Sequence, residues 1–248
     1  MAETYIRSPQ KIVATIEKWL AERVQEAGAY GGIVGLSGGI DSAVVAVLLK
    51  KVFYNQMLAV IMPCHSIPKD REDAEELIDI FKLPSAVVDL TPTYDRLVRA
   101  LRQVEENIEP LALSNIKPRL RMTTLYALAQ SKGYLVCGAS NKAELTIGYF
   151  TKHGDSGTDL LPIGDLLKEE VRHTAAYIGI PEKIIQKPPS AGLWKGQTDE
   201  KEMGLNYIDI DQYIATGKVG SDIQLQIEKR IRRSQHKRNM PPICLISE

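Results

Sequence analysis

Residues 32–49 read GIVGLSGGIDSAVVAVLL, an apolar run, a turn of small residues and a second apolar run in direct succession. No other stretch constrains the fold as strongly. A glycine-rich turn between a buried strand and a helix leaves free backbone N–H groups and the positive end of a helix dipole facing an anion. The pattern predicts a strand over 32–36 and a helix over 42–53. A Walker loop, G-x-x-x-x-G-K-[ST], needs a lysine that reaches the β- and γ-phosphates. Here residues 35–42 read GLSGGIDS, and the lysine is absent. Ser37, Gly38 and Gly39 are small enough to let the backbone approach a pyrophosphate, and Ser42 can cap the helix or donate to an oxygen. Asp41 beside a polyphosphate would repel it unless a Mg²⁺ lay between them, so its presence suggests a metal ligand. A glycine turn with a capping aspartate accounts for Asp41 and one glycine, but not for two serines and two glycines together.

The remaining pattern fits an α/β fold, a doubly wound, mostly parallel sheet with helices on both faces. Apolar runs predict strands over 57–62, 86–90 and 134–139, and helical spacing or length predicts helices over 70–81, 91–103, 116–131, 166–178 and 222–236. An opening amphipathic helix is expected from Ile12, Ile16, Trp19, Leu20 and Val24, with Ser8 as N-cap, Pro9 in the first turn and Gly28 as the stop. Ligands of such a sheet lie outside the carboxyl ends of its strands. Two polar stretches, 150–162 (FTKHGDSGTDLLP) and 187–200 (KPPSAGLWKGQTDE), read as functional loops, the first too polar to be core.

With 248 residues, 44% hydrophobic and 25% charged, the composition suits one domain, 1–248. Thirty-one basic and 31 acidic side chains cancel, so no global field draws the chain to nucleic acid or an anionic membrane. The basic run EKRIRRSQHKR near the end has no aromatic platform beside it, which argues against RNA binding. No apolar run is long enough to span a bilayer, and the N-terminus lacks a signal-peptide core, so a cytoplasmic protein is expected. Cys64, Cys137 and Cys244 are scattered and read as reduced thiols, not as a disulfide or zinc framework.

The hexapeptide S-G-G-x-D-S after a strand resembles the signature of the N-type ATP pyrophosphatases, a Rossmann-like family that cleaves ATP to AMP and pyrophosphate. In that family the loop grips the leaving pyrophosphate, so no lysine for γ-transfer is required. Residues 139–172, ASNKAELTIGYFTKHGDSGTDLLPIGDLLKEEVR, with NIKPRLRM before them and KPPSAGLWKGQTDE after, are similar to the ammonia-dependent NAD synthetases. The resemblance implies a ligase that joins ammonia to deamido-NAD through an adenylated intermediate, with Mg²⁺ as cofactor and a homodimer as the assembly. No segment matches a glutamine-hydrolysing domain, so free ammonia, or ammonia from a partner, is the expected nitrogen source.

Position by position, the resemblance implies Asp41, Lys152 and Asp155 as catalytic residues, with Asp155 positioning ammonium. Asp41 and Glu144 are the implied Mg²⁺ ligands. For ATP it implies Gly35, Leu36, Ser37, Gly38, Gly39, Ile40, Asp41 and Ser42, together with Met62 against adenine and Lys168 and Ser190 at the phosphates. Ser190 stands where many relatives carry threonine, and the hydroxyl survives. For deamido-NAD it implies Arg119, Lys152, Asp159, His236 and Lys237. Arg121 lies two residues from Arg119, hence on another side of the helix, and reads as a salt-bridging residue.

Overall fold

The computed structural model describes residues 5–190, 196 and 198–246. The first half runs α1 (Pro9–Glu26), β1 (Gly31–Gly35), α2 (Ile40–Phe53), β2 (Met57–Ile61), α3 (Pro68–Phe81), β3 (Ser85–Val87), α4 (Thr91–Leu101), α5 (Pro110–Ser114), α6 (Ile116–Lys132) and β4 (Tyr134–Val136). The second half is helical: α7 (Lys142–Ile147), α8 (Lys168–Tyr177), α9 (Glu182–Ile185), α10 (Asp199–Met203), α11 (Tyr207–Thr216) and α12 (Ser221–Arg238). No described helix is long and apolar enough to cross a membrane.

The strands are parallel in the order β3-β2-β1-β4. The winding direction reverses between β1 and β4, and the crevice at their carboxyl ends is where an open α/β sheet takes its ligand. Alternation along β2 explains its unbroken apolar sequence. Met57, Ala59 and Ile61 pack with α1, α2 and α8, whereas Leu58 and Val60 pack under α6. Side chains on both faces of the sheet are thereby removed from water. A third cluster joins Ala143 and Ile147 of α7 to Met203, Tyr207, Ile210 and Ile227. It holds α12 against α7 and brings the basic end of α12 to the crevice.

Several expectations need correction. Ser8 stands at the N-cap of α1 as expected, but its side chain makes no capping bond; its hydroxyl donates to Gln10 Oε1 at 2.6 Å, and Pro9 follows in the first turn. The strand expected over 86–90 is β3 at the sheet edge, where Val87 is half exposed and the chain turns away towards α4. Only the Val88 and Leu90 amides continue the ladder, donating to Ile61 O at 2.9 Å and Pro63 O at 2.8 Å. The strand expected over 134–139 ends at Val136, yet Cys137 forms a parallel bridge with Leu160. Stretch 150–162 therefore contributes to the core after all: Leu160 is 9% exposed, because its apolar end folds back along β4. Helix α11 went unmarked because YIDIDQYIAT alternates like a strand; the Asn206 side chain accepts from Asp209 N at 2.7 Å and sets the helix instead.

Candidate functional site

The turn after β1 is built by its own side chains and by α3. Gly38 has φ +77°, and a Cβ there would lie 2.1 Å from Asp70 O, so only glycine lets the first turn of α3 rest on the loop. The Ser37 amide and hydroxyl donate to Ser42 Oγ at 3.2 and 3.0 Å, and Ser42 Oγ donates to Gly39 O at 3.0 Å. Gly39 N–H reaches Ser37 Oγ at 3.3 Å. The two serines of SGGIDS thus fix the curvature of the turn.

Facing it, the chain leaves β4 and starts α7 with a reciprocal cap. Asn141 Oδ1 accepts from Glu144 N at 3.1 Å, and Glu144 Oε2 accepts from Asn141 N at 3.2 Å. The Asn141 amide group also donates to Asp41 Oδ1 at 3.1 Å and to Glu144 Oε1 at 2.8 Å. Lys168, the first residue of α8, places its ammonium 2.5 Å from Asp41 Oδ2 and 3.9 Å from Glu144 Oε1. Tyr207 closes the group from behind: its hydroxyl lies 3.1 Å from Glu144 Oε1 and 3.0 Å from Asp199 Oδ2. The Lys168 ammonium sits 4.8 Å from the Tyr207 ring centre, a cation–π distance.

The charges in this group do not balance. Asp41, Glu144 and Asp199 are three carboxylates beside one ammonium. Burial, and then the charge of Asp41, pushes the Glu144 carboxyl above its ordinary range, and burial does the same to Asp199. Lys168 is 1% exposed, yet Asp41 and Glu144 outweigh its burial and hold its pKa up. A surplus of buried negative charge suits a divalent cation. Among the described residues no three His, Cys, Asp or Glu side chains are grouped to hold a metal. Two carboxylates completed by phosphate oxygens and water are nevertheless the usual donor set for Mg²⁺, and Asp41 with Glu144 fits it.

The other wall of the cleft, whose volume is about 660 Å³, is cationic. Arg119 Nη2 donates to Lys152 O at 3.3 Å, and Lys152 Nζ donates to His236 O at 2.8 Å, tying the 150–162 stretch to α12. Lys237 Nζ donates to Gly148 O at 2.9 Å and Phe150 O at 2.7 Å, and burial lowers its pKa. Asp155 accepts from Thr151 N at 2.9 Å, and burial raises its carboxyl above the usual range.

The structure brings most of the expected residues to one cleft. All of 35–42 except Gly38 line it, as do Met62, Arg119, Glu144, Lys152, Asp155, Ser190, His236 and Lys237. Gly38 and Lys168 stand just behind the lining. Asp159 also lies outside it, its carboxylate accepting from Tyr126 OH at 2.9 Å and Val136 N at 2.8 Å. Of the second loop, residues 191–195 and 197 lie outside the described residues. Arg121 is a correction. It forms no salt bridge among the described residues but donates to Met62 O at 3.2 Å and Ser66 Oγ at 3.3 Å, and it lines the same cleft as Arg119. Sequence reading missed Tyr207, Asp199 and Lys187.

The family described as NAD synthase matches residues 12–241. The curated NH(3)-dependent NAD(+) synthetase of Carboxydothermus hydrogenoformans is 53% identical over 229 residues, 92% of this chain and 94% of that protein. Among solved structures, an NMN synthetase from Francisella tularensis superposes with a TM-score of 0.91 at 36% identity, over 97% of this chain and 100% of that one. An NH3-dependent NAD synthetase from Campylobacter jejuni, in complex with the nitrate ion, gives a TM-score of 0.79 at 30% identity, over 96% and 100%.

Proposed function

The chain belongs to the NAD synthase family, and from that premise we propose how its cleft couples ATP cleavage to amide formation. The reaction is the ATP-dependent amidation of deamido-NAD with ammonia, giving NAD, AMP and pyrophosphate; the enzyme is a ligase that forms a C–N bond. The observation that supports our site assignment most directly is the meeting of Asp41, Glu144 and Lys168 at the carboxyl ends of β1 and β4.

A carboxylate does not form an amide with ammonia directly, because oxide is a poor leaving group and the two form a salt. In the first step a nicotinate carboxylate oxygen attacks the α-phosphorus of ATP, and the bond from that phosphorus to the pyrophosphate breaks. In the second, ammonia attacks the carbonyl carbon, the bond from carbon to the AMP oxygen breaks, and the ammonia nitrogen gives up a proton. The 35–42 loop, with Ser37, Gly38, Gly39 and Ser42, takes the leaving pyrophosphate. Met62 packs against adenine, and Lys168 and Ser190 serve the phosphates. Asp41 and Glu144 would hold Mg²⁺, which when bound neutralises charge on the departing pyrophosphate. Lys152, Arg119, His236 and Lys237 take the dinucleotide side. Asp159 acts there less directly, its oxygens being held by Tyr126 and Val136. Asp155, which lines the cleft with Lys152, positions ammonium. We take 1–248 as one working unit. It is a cytoplasmic homodimer in this reading, and the apolar side chains exposed along α4 and α5, Leu97, Leu101 and Leu111, favour cover by a second copy.

A second reading rests on the Francisella tularensis structure, an NMN synthetase: the acceptor would be the mononucleotide acid. Nicotinate mononucleotide and deamido-NAD, each supplied with ATP, Mg²⁺ and ammonium, separate the two. We expect kcat/KM for deamido-NAD to be about tenfold higher or more. The reverse ratio would favour the mononucleotide.

A further inference from the structure

The loop lacks a lysine in sequence, but α9 is followed by one that reaches it in space. Lys187 lies 149 residues from Gly38, and its Nζ donates to Gly38 O at 3.3 Å. The same ammonium is 2.8 Å from Asp70 Oδ1 and 2.7 Å from Asp73 Oδ2, both on α3. We infer that Lys187 is a positioning residue for ATP, one that orients the Gly38–Gly39 peptide so that the loop accepts the pyrophosphate. The inference rests on reading 35–42 as the pyrophosphate loop.

The proton count decides between this role and direct phosphate contact. An ammonium has three donors, and Gly38 O, Asp70 and Asp73 take all three. Lys187 therefore has none to spend on a phosphate, unlike the lysine of a Walker loop. Its leverage is geometric. The peptide is planar and trans, so the Gly38 C=O and the Gly39 N–H point in opposite directions. Fixing the carbonyl on Lys187 holds the Gly39 N–H on the opposite side of the peptide, where it donates to Ser37 Oγ at 3.3 Å and closes the turn that lines the cleft. α3 closes the arrangement from behind, since Asp70 O fills the space a Cβ on Gly38 would need.

Steady-state kinetics with ATP and deamido-NAD varied in turn test the inference, on wild type, Lys187→Met and the double variant Lys187→Met/Asp73→Asn, with Tm measured alongside. Lys187→Met should raise KM for ATP about tenfold, as for loss of one hydrogen bond from a charged donor. KM for deamido-NAD should stay within about twofold. Asp73 has a side chain only 4% exposed and keeps Lys69 at 3.0 Å, so the single variant removes one of the cations that pair a buried carboxylate and loses Tm. The double variant removes that charge; its Tm should recover while KM for ATP stays raised. Recovery of KM for ATP together with Tm, or an equal rise in both KM values, would overturn the inference. A wild-type protein that forms no NAD would instead overturn the reading of the site, a separate outcome.

Discussion

The ammonium of Lys168 and the carboxylate of Asp41 meet at 2.5 Å across 127 residues of chain, with the lysine 1% exposed. The contact joins the first turn of α2 to the first turn of α8. Removing the lysine leaves the carboxylates of Asp41 and Glu144 without their cation, and such losses cost more than the pair itself contributes. Lys168→Met should therefore destabilise the fold by about 3 kcal/mol or more, measured by urea unfolding. Asp41→Asn in the Lys168→Met background should restore part of that stability, giving a favourable coupling in the double-mutant cycle.

Asp41→Asn and Glu144→Gln should each lower kcat/KM for ATP by about a hundredfold or more, the scale of losing charge stabilisation in a transition state. Lys51→Ala is the control. Its ammonium pairs with Glu17 at 2.8 Å, away from the cleft, and its loss should change kcat/KM by less than about twofold. Equal losses in all three variants would contradict the metal assignment.

Tyr207→Phe removes the hydroxyl that lies between Glu144 and Asp199 while keeping the ring under Lys168. Partners that orient a metal ligand typically matter about tenfold or more for affinity. The expected result is a weaker dissociation constant for Mn²⁺, read by electron paramagnetic resonance in the presence of a non-hydrolysable ATP analogue, with Tm little changed.

Acid stability follows from the N-terminal clasp. Arg7 donates to Glu170 through its amide at 3.0 Å and its Nε at 2.7 Å, and to Asp165 at 2.6 Å. Burial pushes the Glu170 carboxyl up, but the Arg7 guanidinium and the amides of Arg7 and Leu167 outweigh it and hold the pKa below the ordinary 4.5. A depressed folded pKa means that the unfolded chain binds the proton more readily. The stabilisation is thus complete above about pH 4.5 and is lost as pH falls below it. Arg7→Met should cost about 1 kcal/mol at pH 7, a figure discounted for the 45% exposure of Arg7. The gap from wild type, followed by chemical denaturation, should narrow as pH falls below 4.5.

The sheet and the loop were legible in the sequence because both are local. MLAVI has to be buried on both faces, and SGGIDS sits between an apolar strand and a helix. Glu144 was legible through resemblance. Tyr207 and Asp199 were not. Tyr207 lies in YIDIDQY, whose alternation suggests a strand, and nothing local indicates that its hydroxyl reaches a carboxylate 63 residues earlier. Arg121 was misread because helical spacing separates it from Arg119, whereas the cleft is wide enough to take both. Lys187 escaped notice for a related reason: its partners are a backbone carbonyl and two side chains on α3, and sequence offers no sign of that meeting.

The central claim is that the carboxylate oxygen of deamido-NAD attacks the α-phosphate of ATP and leaves with AMP. Deamido-NAD carrying ¹⁸O in both positions of its nicotinate carboxylate, incubated with ATP, Mg²⁺ and ammonium, tests it by mass spectrometry of the products. The account predicts AMP with one ¹⁸O atom, unlabelled pyrophosphate, and NAD retaining one. Labelled orthophosphate with ADP, or unlabelled AMP formed without deamido-NAD, would contradict it.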